Sequence, residues 1–133
     1  MKVKLSAVII TYNEEENIER CISSIKGVAE EIIVVDSFSS DKTVEIAKSN
    51  GAIVFQNKFK GYSNQKKFGI NKCSSNYILS LDADECLSEN LQVSIKDVKK
   101  NYNSDAYEMN RKNNYLGQWI NYCGWYPDKK IRL

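Results

Sequence analysis

Short apolar runs recur along the chain, and each one ends in a polar break. Leu5 to Thr11, with Ala7-Val8-Ile9-Ile10 at its centre, predicts a buried strand. Ile32-Ile33-Val34-Val35 and Tyr77 to Leu81 predict two more, and Ala52 to Phe55 and Ala106 to Arg111 read as further strands. Between them the apolar spacing changes to that of helices. Ile18, Cys21, Ile22 and Ile25 fall at i, i+3, i+4 and i+7, and Gly27 closes that segment. Asn13 is placed to cap this helix, with Glu16 three residues on as in a capping box. Glu14, Glu15 and Glu16 would then occupy a first turn whose dipole favours acids, which is reason enough for them without a catalytic role. Asp41 caps a short helix closed by Asn50-Gly51, and another runs from about Tyr62 to Cys73. Ser88 caps a further helix whose face is Leu91, Ile95, Val98 and Tyr102. The stretch holding Tyr115, Trp119, Tyr122, Trp125 and Tyr126 reads as loop.

Strand and helix therefore alternate, which predicts an α/β fold with a mostly parallel sheet and helices on both faces. Such sheets bind ligands beyond the carboxyl ends of their strands. Thr11 and Tyr12 end the first strand, Asp36 the second, and Asp82 and Asp84 follow the fourth. Read as extended chain, Leu81-Asp82-Ala83-Asp84 points both carboxylates the same way. Two such charges repel unless a hard divalent cation sits between them, and that cation keeps positions open for phosphate oxygens. An Asp-x-Asp triplet is also a common string, and acids at strand ends are often only solvated; convergence from three strand ends supports the metal and diphosphate reading.

Composition narrows the field. At 133 residues the chain is one domain with room for a core, and 42% hydrophobic with 27% charged residues is ordinary for a globular protein. A net charge of +2 gives no reason to expect nucleic acid as a partner. The apolar runs are too short to cross a bilayer, and the first residues lead straight into a strand rather than a secretory signal. The absence of His removes the commonest general base. Cys21, Cys73, Cys86 and Cys123 form no CxxC pair, and they read as reduced thiols of a cytoplasmic protein. No GxGxxG follows the first strand and no GxxxxGK[ST] occurs, which disfavours dinucleotide and P-loop sites.

Taken in order, Ala7-Val8-Ile9-Ile10-Thr11-Tyr12-Asn13-Glu14, Ile33-Val34-Val35-Asp36 with Ser39-Ser40-Asp41-Lys42-Thr43, and Leu81-Asp82-Ala83-Asp84 resemble the GT-A, family 2 glycosyltransferases over about residues 5 to 100. Asp36-Ser37-Phe38-Ser39-Ser40-Asp41, Gly61-Tyr62 with Gln65-Lys66-Lys67, and Gly124-Trp125-Tyr126-Pro127-Asp128 resemble the branch that contains lipopolysaccharide-core glucosyltransferases. The resemblance implies an inverting transferase that uses a nucleotide-diphosphate sugar, a UDP-sugar foremost, and a saccharide or lipid-linked saccharide acceptor in cell-envelope polysaccharide synthesis. It implies a nucleotide-sugar site of Thr11, Tyr12, Asn13, Asp36, Lys66 and Asp82. Asp84, with Asp82, would hold Mg2+ or Mn2+. Tyr12 could stack on a base or merely cover the helix start, and Lys66 could face the base and phosphates or lie on a solvated helix face.

Two departures stand out. Many members carry a second acid after the strand-two Asp to read the base, and this chain has Ser37. No residue matches the family's catalytic base; Asp128 is the nearest carboxylate and is not expected to serve. Residues 1–133 thus read as the N-terminal nucleotide-sugar-binding part of a longer GT-A domain, with the acceptor part missing or incomplete and little turnover expected of it alone. The full-length enzyme would work in the cytoplasm, with peripheral association at the inner face of the membrane. Trp119, Trp125 and Tyr126 either line an acceptor surface or pack in the core; exposed, this aromatic C-terminal region would drive self-association. A flavodoxin-like phosphoacceptor module, an inert nucleotide-binding domain and a nucleotidyltransferase are the alternatives. The first wants an acid pair where Thr11-Tyr12-Asn13 stands, and the last wants an early Gly-rich basic loop.

Overall fold

The computed structural model describes residues 4–75 and 77–100 in full, and the backbone of four short strands beyond them. Two compact units divide near Asn103. The first is an α/β sheet in the order β3-β2-β1-β4. Its strands are β1 (Leu5–Thr11), β2 (Glu31–Asp36), β3 (Ile53–Gln56) and β4 (Tyr77–Asp82). All three pairings are parallel, with Ile9 beside Val34 and also beside Leu81. β1 is buried at every position because it has a neighbour on each side and helices on each face.

The helices are α1 (Ile18–Ile25), α2 (Thr43–Ser49), α3 (Tyr62–Asn71) and α4 (Glu89–Lys100). Right-handed crossovers from β1 to β2 and from β2 to β3 put α1 and α2 on one face, and the return from β3 to β4 puts α3 on the other. The expected stripe of Ile18, Cys21, Ile22 and Ile25 is buried. α3 packs close to the sheet at Gly69, where an added Cβ would lie 2.5 Å from Val8 Cγ1 and 3.0 Å from Val35 Cγ2. Ser88 caps α4 as expected, its hydroxyl accepting from the Leu91 N–H at 3.1 Å, and Ile95 is the buried centre of that helix's face. Lys99 ties α4 to the end of α1 by donating to the Val28 carbonyl at 2.6 Å.

Three expectations are corrected. α1 begins at Ile18 rather than after Asn13, so Glu14, Glu15 and Glu16 precede it and Glu19 is the acid of its first turn. Asn13 takes a left-handed φ of 50° and bonds across to another loop instead of capping. Chain leaving a parallel strand must first clear the sheet edge, and the Glu14 carbonyl spends that distance in a turn that receives the N–H groups of Asn17 and Ile18. The fifth strand does not extend the parallel sheet. β5 (Glu108–Arg111) pairs antiparallel with β8 (Asp128–Ile131) in the second unit. The stretch read as loop holds β6 (Asn113–Tyr115) and β7 (Gln118–Ile120), a short antiparallel pair. Trp119 therefore sits on a strand, while Tyr122, Trp125 and Tyr126 lie outside the described residues. Among the described residues no helix is long and apolar enough to cross a membrane.

Candidate functional site

A cavity of about 520 Å3 opens at the carboxyl edge of the sheet. It lies where β1 separates β4 from β2, the point at which successive crossovers leave in opposite directions. Ile10, Thr11, Tyr12 and Glu14 line it from β1 and the loop beyond, Ser37 from β2, and Asp82, Ala83 and Asp84 from β4. Phe59, Tyr62 and Gln65 close the side formed by α3 and the loop before it.

Asp82 and Asp84 both reach this cavity, but not by strand alternation. The chain turns at Ala83, with the Glu85 N–H donating back to the Asp82 carbonyl at 2.9 Å. Glu85 also accepts the Asp82 N–H at 2.8 Å, which fixes the turn and gives that third acid a structural task. Ala83 is buried, Asp82 half-buried and Asp84 exposed. Asp82 Oδ1 is buried with no hydrogen-bond partner. A carboxylate oxygen left bare inside a polar cavity calls for a ligand, because burial without a partner is costly. Oxygen donors of this type suit a hard cation. No group of three Asp, Glu, His or Cys side chains lies close enough to form an all-protein cage among the described residues. One or two carboxylates with substrate phosphates completing the shell is the usual arrangement for Mg2+.

The remaining predicted residues divide. Thr11 lines the cavity, and its buried hydroxyl has no partner. Tyr12 lines it with 58% of its surface exposed, leaving a ring face available. Asp36 is fully buried and outside the lining. Its carboxylate accepts the Ser39 N–H at 2.9 Å, the Ser39 hydroxyl at 2.5 Å and the Gln56 amide at 3.3 Å. It organises the loop after β2 rather than facing the cavity. Lys66 is half-buried on α3 and is not a lining residue either.

Asn13 belongs to a seam between the two loops. Its N–H donates to Ser39 Oγ at 2.7 Å, and its Oδ1 accepts the Ser40 N–H at 2.8 Å. The Glu14 N–H donates to Thr43 Oγ1 at 2.8 Å, and Glu15 accepts the Lys42 N–H at 3.0 Å. Asp41 accepts from the Thr43 hydroxyl and from the N–H groups of Thr43 and Glu15, and these bonds outweigh desolvation and hold its carboxyl below the ordinary range. The seam fixes the β1–α1 loop against the β2–α2 loop.

Sequence reasoning assigned no role to Phe59 or Gln65. Phe59 and Tyr62 form an edge-to-face pair with centroids 5.2 Å apart at the cavity's side. Gln65 is 1% exposed. Gln65 shares a face of α3 with Gly69, one turn on, and its burial there leaves no trace in residue type alone.

Fold and cavity together define an α/β domain of the GT-A kind. The glycosyl transferase family 2 model matches residues 6–128. An uncharacterized glycosyltransferase of Rickettsia bellii is 50% identical over 104 residues, covering 78% of this chain and 35% of that protein. The lipopolysaccharide core biosynthesis glycosyltransferase LpsC of Rhizobium meliloti is 38% identical over 96 residues, covering 68% and 35%. The glucosyl-3-phosphoglycerate synthase of Mycobacterium tuberculosis, in complex with Mn2+, uridine diphosphate and glucosyl-3-phosphoglycerate, superposes with a TM-score of 0.56 at 27% identity, covering 61% of this chain and 33% of that one. This chain belongs to glycosyl transferase family 2. It spans about a third of the length of the curated relatives it matches.

Proposed function

We propose that this chain is the donor-binding part of an inverting glycosyltransferase that takes a nucleotide-diphosphate sugar, a UDP-sugar foremost. The observation that carries the proposal is the bare, buried Oδ1 of Asp82 in a cavity shared with Asp84, Thr11 and Tyr12. Ser37 and Asp82 stand on either side of β1, two strand spacings or about 10 Å apart. That span suits a nucleoside diphosphate lying across the strand ends, its phosphates toward Asp82 and Asp84 and its base toward Ser37. Tyr12 would cover the base, and Thr11 would bond the nucleoside. Asp36 acts from beneath by fixing the loop that carries Ser37. Lys66, one turn beyond Tyr62, would supply positive charge beside the cavity.

Asp84 and Asp82 would hold Mg2+ or Mn2+, and the mycobacterial enzyme's complex with Mn2+ and uridine diphosphate supports a divalent ion. When bound, such an ion neutralises charge developing on the departing diphosphate. The protein's own contribution is to hold the diphosphate at the β4 turn, keep the base at the β2 side and leave the sugar at the mouth for an acceptor hydroxyl. No described residue stands as the base for that hydroxyl.

We place the acceptor among saccharides or lipid-linked saccharides of the cell envelope, on the likeness to LpsC. Work in the cytoplasm, with peripheral contact at the inner membrane face, goes with that acceptor. Calorimetry with UDP, dTDP, GDP and CDP, with and without Mn2+, tests the reading. One diphosphate should bind only when the metal is present, and Asp84→Asn should weaken that binding at least tenfold. Equal binding with and without metal, or an unchanged Asp84→Asn variant, would overturn it.

A further inference from the structure

The turn that carries Asp82 and Asp84 is held from two sides. From β1, the Ile10 carbonyl accepts the Ala83 N–H at 3.2 Å. From α1, three side chains reach the backbone of residues 82–87. The Cys21 thiol donates to the Asp82 carbonyl at 3.7 Å, and Arg20 Nη2 donates to the Asp84 carbonyl at 3.4 Å. Ser24 Oγ accepts the Leu87 N–H at 3.0 Å and donates to the Cys21 carbonyl at 2.7 Å. The direction of both Ser24 bonds is forced, because a backbone N–H can only donate and a backbone carbonyl can only accept. α1 is a firm support for these bonds, since Ile18, Ile22 and Ile25 are fully buried. The turn needs one. Asp82, Asp84 and Glu85 put three acids within four residues, and like charges so close favour its opening.

We infer that Ser24, with Arg20, is a positioning residue for the divalent ion: from α1 the two hold the turn closed, so that both carboxylates already face the cavity when the ion arrives. This rests on the metal and nucleotide reading above. Neither Ser24 nor Arg20 lines the cavity, so both act through the turn. Released from α1, the turn opens under its own charge, and only the fraction still closed can take the ion. The apparent metal affinity falls by that fraction, and abundant metal restores the closed state. Loss of a metal ligand differs, because Asp84→Asn leaves the site poor at any metal concentration.

Free Mn2+, read from its EPR signal at a fixed UDP concentration, gives the metal concentration for half-saturation. Ser24→Ala should raise that concentration about fivefold, while the Kd for UDP at saturating Mn2+ stays within about twofold of the parent. Ser24→Thr keeps the hydroxyl and should match the parent in both measurements. Arg20→Gln changes an exposed residue, spares the fold and should raise the half-saturating concentration about threefold. Charge alone would act the other way, since removing a cation beside a cation site favours the metal. Ser74→Ala is the control for general loss of stability, because it removes a hydrogen bond to Glu31 at the opposite end of the sheet. It should lower the urea midpoint and leave metal binding unchanged. The inference is overturned by an unchanged half-saturating concentration in Ser24→Ala, by UDP binding that stays weak at saturating Mn2+, or by an equal shift in Ser74→Ala. If Ser24→Ala does not fold, unchanged or tighter metal binding in Arg20→Gln overturns it. Each of these outcomes leaves metal-dependent nucleotide binding by the parent intact. Failure of the parent chain to bind any nucleoside diphosphate with Mn2+ overturns both readings together.

Discussion

Gly69 shows how much one missing methyl group decides. α3 can press onto β1 and β2 only because nothing projects from this position, and an alanine Cβ would meet Val8 at 2.5 Å. The neighbouring atoms belong to buried β-branched side chains that cannot swing aside. Gly69→Ala should therefore cost about 1–3 kcal/mol through overpacking, read as a lower urea midpoint with an unchanged slope. It should also displace Gln65, one turn back on the same helix, and so disturb the cavity from a distance. Asp82 makes a related point. Its identity was legible in the sequence, but its geometry was not: the turn at Ala83, fixed by Glu85, exposes one carboxylate of the pair and leaves an oxygen of the other buried and bare.

Strand β2 leads to the cavity at one end and carries stabilising carboxylates at the other. At its start, Glu31 accepts the Ser6 hydroxyl at 2.7 Å and the Ser74 N–H and hydroxyl at 3.0 and 2.8 Å. Glu30 accepts the Leu5 N–H at 2.7 Å and pairs with Lys99. Burial by itself raises both carboxyl groups, but these hydrogen bonds outweigh it and hold both below the ordinary value of 4.5. Their folded values lie below their unfolded ones. The stability they add is therefore complete above about pH 4.5 and is lost as pH falls through the folded values. The urea midpoint should drop as pH falls below about 4.5, and Glu31→Gln should flatten part of that slope. β1 and β2 were readable because burial on both faces forces unbroken apolar runs, and α1 because one buried stripe forces helical spacing. The start of α1 was misread because an Asn three residues before a Glu looks like a cap wherever it falls, while bonds to residues some 26 positions away leave no local trace. The tail was misread for a similar reason. Asn113–Tyr115 is three residues long and carries no apolar run.

At the scale of the molecule, charge is unevenly spread along a chain whose net charge is only +2. Residues 46–81 contain six lysines and no acid. Lys58, Lys60, Lys66 and Lys67 stand among the residues that supply Phe59, Tyr62 and Gln65 to the cavity. The two aspartates occupy the far side of β1, so the cavity runs from a basic flank to an acidic turn. Such a field draws anions toward the basic flank, and salt screens it. The association rate of a nucleoside diphosphate with its metal should fall several-fold between about 0.05 M and 0.5 M salt, and Lys58→Gln with Lys60→Gln should remove much of that dependence in stopped-flow measurements.

The seam between the segments that follow β1 and β2 carries a lesson for anyone who would re-engineer this protein. Asn13, Glu14 and Glu15 are bonded partner for partner to Ser39, Ser40, Lys42 and Thr43, so the two segments behave as one piece. A graft that swaps residues 37–43 from a relative of different taste, without bringing residues 12–15 along, would import half of a lock. Chimeras cut to carry both segments together should keep their fold where single swaps lose it.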